Sequence, residues 1–105
     1  MSFELSIDEG KFLIELARNA VKQYLQTKTQ LQPPENTSKK LFESCGVFVT
    51  INKIKNGEKQ LRGCIGYPYP THPLVEAVID SAINAATHDP RFPPLSAKEL
   101  GEVVF

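Results

Sequence analysis

A chain of 105 residues, 41% hydrophobic and 23% charged, has the size and composition of one small domain. Twelve basic and twelve acidic residues cancel, which leaves no general electrostatic footprint for nucleic acid or an anionic membrane. No apolar run approaches the roughly 18 residues that span a bilayer. Met1-Ser2-Phe3-Glu4 has neither the basic start nor the apolar stretch of a signal peptide, so the expected location is the cytoplasm.

Ser6-Ile7-Asp8-Glu9 has the spacing of a capping box, in which the Ser6 hydroxyl accepts from the Glu9 amide while Glu9 reaches back. Leu13, Leu16, Ala17, Ala20, Val21, Tyr24 and Leu25 then recur at steps of three and four, predicting an amphipathic helix from Ile7 to Thr27. Pro33-Pro34 and the polar residues after them make residues 30–38 a loop. Thr37 or Ser38 is placed to cap a helical turn over 39–43.

Residues 46–52 are β-branched and aromatic, a strand pattern, and Asn56-Gly57 is a strong hairpin signal. The return strand is predicted over 58–66. A two-residue turn sets Arg62 opposite Ile51 and Cys64 opposite Val49 on one side of the hairpin, with Gly63 and Ile65 opposite Thr50 and Phe48 on the other. Cys45 then lies roughly 13 Å from Cys64, beyond bridging reach. Two cysteines are also too few for a disulfide scaffold or a structural zinc site, so free thiols and no metal are expected.

Pro68, Pro70 and Pro73 rule out regular structure after the hairpin, and Pro73 suits the first position of a second helix. Leu74, Val75, Val78, Ile79, Ala82, Ile83 and Ala86 form its predicted buried stripe, and its alanines favour close packing on a sheet. Asp89-Pro90 ends it. Arg91-Phe92-Pro93-Pro94-Leu95 is a stiff loop before a turn over 97–100. Glu102-Val103-Val104-Phe105 reads as the opening of a strand, from which the expectation is a longer folding unit.

The segment richest in chemistry is Leu61-Arg62-Gly63-Cys64-Ile65-Gly66. Glycines weaken a strand, so two of them imply a bend or a close approach to the backbone. Gly46-Val47-Phe48-Val49-Thr50, this hexapeptide and Asp89-Pro90-Arg91-Phe92-Pro93-Pro94-Leu95, in that order around a proline-started, alanine-rich helix, resemble the AMMECR-one family. The resemblance covers the whole chain and about the first half of a family domain. It implies an α+β fold, an antiparallel sheet flanked by helices in two subdomains with a cleft, of which residues 1–105 are the N-terminal part. It also implies an association with radical S-adenosylmethionine proteins and Memo-like proteins, as in a small modification pathway, and names no reaction or cofactor.

Each candidate residue has a structural reading beside the functional one. Cys64 is a tentative nucleophile, its thiolate favoured by Arg62, or a small apolar filler. Arg62 forks onto a ligand carboxylate or phosphate, or pairs internally, for instance with Asp89. Gly63 and Gly66 admit a ligand or a bulge. Tyr67 and Tyr69 wall a cleft or brace a proline-rich turn. Asp89 and Arg91 present polar groups to the hexapeptide or seal the helix end. His72 is the one histidine placed to reach the hexapeptide, and His88 sits at a helix end.

Two functions follow as expectations. One is an enzyme or enzyme component that binds a small anionic ligand in a cleft, with Cys64 catalytic and Arg62, Gly63, Gly66, Tyr67, Asp89 and Arg91 holding the ligand. The other is a binding or adaptor protein that uses the same surface without chemistry.

Overall fold

The computed structural model describes residues 4–105, so the leader reading of residues 1–3 lies outside the described residues. Helix α1 (Ile7–Thr27) opens on its capping box. Ser6 N–H donates to Glu9 Oε1 at 2.8 Å and Glu9 N–H donates to Ser6 Oγ at 3.1 Å. It ends where Lys28 turns left-handed and returns its N–H to the Tyr24 carbonyl. Glu9 also meets Lys40 Nζ at 3.0 Å, which ties the helix start to a 3-10 turn over Lys39–Phe42. No side chain caps that turn; the Thr37 hydroxyl donates to the Pro34 carbonyl instead.

Strands β1 (Val47–Lys55) and β2 (Glu58–Tyr67) form the hairpin. Asn56 and Gly57 both take positive φ, 53° and 79°, the turn whose twist matches that of paired strands. From Lys55–Glu58 to Asn52–Leu61 the register is the one this turn dictates. There it breaks: the partner of Ile51 is Gly63, and Arg62 is an extra residue, a β-bulge. Cys64 therefore faces Thr50 and Ile65 faces Val49, a correction of one residue to the expected pairing. The cause is visible in burial. Arg62 and Gly63 are both buried, which neighbours in an unbroken strand, pointing to opposite faces, do not manage on a sheet covered on one side.

Helix α2 (Leu74–Thr87) starts one residue later than expected, with Pro73 in the cap position. All seven predicted stripe residues are buried, and so are Ala77, Ser81 and Ala85. That wide apolar arc follows from its place at the centre of the molecule, packed on β1 and β2 and also on α1. A Cβ on Gly63 would lie 2.1 Å from the Ala85 carbonyl oxygen. The close approach implied by this glycine is thus made by the backbone of α2.

Strand β3 (Val103–Val104) pairs antiparallel with Lys53 and Asn52, giving the order β2-β1-β3. A 3-10 turn over Glu99–Glu102 leads into it, slightly later than the predicted turn. Arg18 of α1 fastens this end: Nη1 donates to the Leu100 carbonyl at 2.8 Å and Nη2 to the Val103 carbonyl at 2.5 Å. Its guanidinium also lies 5.3 Å from the centre of the Phe105 ring. The fold is α+β. Val49 and Ile51 are buried under the helices, whereas Phe48 and Thr50 are exposed on the outer face of the sheet. Among the described residues, no helix is long and apolar enough to cross a membrane.

Candidate functional site on the outer face of the hairpin

Cys64 is half-buried, and its Sγ lies 3.3 Å from Thr50 Oγ1. Its backbone is held from the other side. Cys64 N–H donates to Asp89 Oδ2 at 3.0 Å, and its carbonyl accepts from Arg91 Nη2 at 3.4 Å. Both groups turn away from β1, so Thr50 and Cys64 form the kind of antiparallel pair that lacks mutual backbone bonds and brings side chains closest. A carboxylate and a guanidinium occupy the lane of the next strand.

The loop after α2 is built for that task. Asp89 Oδ1 accepts from Arg91 N–H and Nε, both at 3.0 Å, and Oδ2 accepts from Nη2 at 2.8 Å. The loop is anchored to α2 where Leu95 N–H donates to the Ala86 carbonyl at 2.7 Å. Arg91, then the Cys64 amide, hold the Asp89 carboxyl well below the usual carboxylate range, and Asp89 in turn raises the Arg91 pKa. Asp89 is buried, whereas 55% of the Arg91 side chain is exposed. Arg91 therefore presents charge to solvent from a fixed seat.

Arg62 goes elsewhere. Its expected internal partner was Asp89, but Nε donates to Glu99 Oε2 at 3.0 Å and Nη2 to Glu99 Oε1 at 3.2 Å. Lys53 Nζ is 3.7 Å from the same carboxylate. This fork is the first cause holding the Glu99 carboxyl below its ordinary value. Arg62 is 9% exposed, and its buried Nη1 has no partner among the described residues. The bulge thus separates the guanidinium and the thiol that the sequence placed on one side, and the cation that meets Cys64 is Arg91.

Tyr67 reaches into the helix layer, where its Oη donates to the Asp80 carboxylate of α2, a bond that raises the phenol pKa. Its ring lies 4.4 Å from the His72 ring. His72 Nδ1 pairs with Thr71 Oγ1 at 2.8 Å and His88 Nδ1 with Thr87 Oγ1 at 2.7 Å, so the Cys64 thiol's hydrogen-bond partner is Thr50 and neither histidine. At Gly66 a Cβ would lie 2.1 Å from the Val47 carbonyl oxygen and 2.8 Å from Phe48 Cδ1, so the exposed Phe48 ring crosses this residue. Among the described residues, no three His, Cys, Asp or Glu side chains gather to hold a metal ion. An apolar cavity of about 450 Å³ lies between α1 and β1; Phe48 and Thr50 line it, whereas Cys64, Arg62, Gly63, Gly66, Tyr67, Asp89 and Arg91 do not.

Three participants escaped sequence reasoning: Thr50, Glu99 and Arg18. Glu99 had a local signal, because Ser96-Ala97-Lys98-Glu99 repeats the capping-box spacing, and Glu99 N–H does donate to Ser96 Oγ. Arg18 had none, since its partners lie more than 80 residues away.

Known proteins resemble this chain along nearly all of its length. The family model described as AMMECR1 matches residues 14–105. A protein of Thermofilum pendens is 51% identical over 96% of this chain and 50% of its own length. One from Pyrococcus horikoshii is 46% identical over 99% of this chain and 51% of its own. The crystal structure of an uncharacterized protein from Pyrococcus horikoshii matches with a TM-score of 0.85 at 47% identity, covering 90% of this chain and 47% of that one. The chain spans about half the length of the curated relatives it matches.

Proposed function

The chain belongs to the AMMECR1 family, and on that footing we propose that the outer face of its hairpin binds a small anionic ligand, with Arg91 as the cationic anchor and Cys64 lining the contact. The observation that carries this reading is the seat of Arg91. Asp89 fixes its guanidinium against the Cys64 carbonyl at 3.4 Å while more than half of the side chain stays open to solvent. A guanidinium held in this way loses little freedom when an anion docks. Asp89 positions Arg91, and Phe48 lying across Gly66 supplies an apolar wall. Arg62, Gly63 and Tyr67 support the site from the helix side, through Glu99, Ala85 and Asp80. The wider role carried over from the resemblance is a component of a small modification pathway, beside radical S-adenosylmethionine and Memo-like proteins.

The test is an NMR titration with inorganic phosphate and, separately, succinate. Saturable shifts of the Cys64 and Arg91 amides, lost in Arg91→Gln, are the expected result. Shifts that do not saturate, or that survive Arg91→Gln, overturn the reading. A catalytic version of the same site has one observation in its favour, a half-buried thiol on the residue whose carbonyl accepts from a fixed guanidinium. It requires Cys64 to react with iodoacetamide faster than Cys45 does. Equal rates leave Cys64 a lining residue of a binding protein.

A further inference from the structure

Resting on the reading of Arg91 as the anion anchor, we propose that the ligand is a monocarboxylate, held between Arg91 Nη1 and the Gly66 amide at the outer edge of β2. This edge already holds one carboxylate in the same manner. Asp89 Oδ2 accepts from the outward-facing Cys64 N–H, while Arg91 Nε and Nη2 grip the two Asp89 oxygens. Backbone groups alternate along a paired strand, so the next amide to face outward is that of Gly66. It lies roughly 6.6 Å further on, two residues of strand rise. Among the described residues, no carbonyl or side chain accepts from it.

Arg91 stands on the Gly66 side of Asp89, because Nη2 also donates to the Cys64 carbonyl, and that carbonyl precedes the Gly66 amide along the edge. Nε and Nη2 are thereby used, and among the described residues Nη1 keeps both hydrogens unpaired. Between Arg91 and Gly66 the open groups are donors only. A group with two acceptor oxygens and no hydrogen to place fits such a set. Charge then selects among anions. Arg91 and Asp89 together are neutral, and the arriving group meets the Asp89 carboxylate across a single guanidinium. A carboxylate brings one negative charge to that repulsion, whereas a phosphate monoester brings nearly two. The Phe48 ring crosses the outer side of Gly66, which suits an apolar substituent on the carboxylate.

The experiment follows the amide NMR spectrum during titration with benzoate and, separately, phenyl phosphate, which share a ring and differ in the charged group. Benzoate is expected to saturate about tenfold more tightly, with the Gly66 amide proton moving downfield further than any other. A second form of the protein deletes only the donor: a synthetic segment 64–105, ligated at Cys64, carries an ester in place of the Ile65–Gly66 amide. Its expected affinity for benzoate is about tenfold lower. Phenyl phosphate binding as tightly as benzoate overturns the proposal. So does a Gly66 proton that stays in place at saturation, or an ester form that binds benzoate unchanged. The two titrations decide alone should the ester form not fold. Each of these outcomes leaves the anion site at Arg91 standing. Failure of that site reads differently: neither probe saturates, or binding survives Arg91→Gln, and both readings then fall.

Discussion

At the scale of single residues, Gly63 and Asp89 do the most to define the site. Gly63→Ala drives a methyl group toward the Ala85 carbonyl at 2.1 Å, a contact between two backbones with no flexible side chain to give way. The expected loss is about 2–4 kcal/mol, read from urea unfolding. Gly10→Ala is the control: it lies in α1 with nothing within 4 Å and should gain roughly 0.5–1 kcal/mol. A neutral Gly63→Ala would contradict the close packing of α2 on β2. For Asp89, the lowered folded pKa means that the unfolded chain takes up the proton first. Its contribution is complete above the unfolded carboxylate value near pH ~4 and fades as pH falls through the folded one. Asp89→Asn should therefore be less stable than the parent near neutral pH, with a gap that narrows toward about pH 3 in chemical unfolding. A gap that is constant with pH rules out the carboxylate as its source.

At the scale of elements, the β-bulge decides which side chains meet. The helix boundaries, the hairpin turn and the pairing of its outer half were legible in the sequence, because capping, periodicity and Asn56-Gly57 are local signals. The inner half of the hairpin was not. An added residue leaves the composition of a strand unchanged and reveals itself only through what its side chain finds across the fold. Here that is Glu99, 37 residues on, which accepts the Arg62 fork. Glu99→Gln leaves a buried guanidinium poorly matched, and the expected cost is about 2 kcal/mol by thermal or urea unfolding, with faster exchange of the Gln60 and Leu61 amides. Unchanged stability and exchange would mean that the bulge is fixed by Gly63 and α2 alone.

At the scale of the whole molecule, the candidate site was legible as a set of motifs and illegible as an arrangement. The hexapeptide and the Asp89-Pro90-Arg91 loop do come together, as their chemistry suggested, through the Cys64 backbone. Which arginine reaches Cys64 depended on a single inserted residue and on a helix layer that occupies one side of the hairpin. Arg18, silent in the sequence, joins α1 to the end of the chain, so the placement of β3 depends on a contact that no short pattern encodes.

The Asp89 and Arg91 side chains that terminate β2 have one more effect. Sheets aggregate by growing at their margins, and here the outer margin of β2 is occupied at Cys64 by groups that cannot pass the pattern on. A strand extending the sheet past β2 must therefore displace both side chains before it can pair at Cys64.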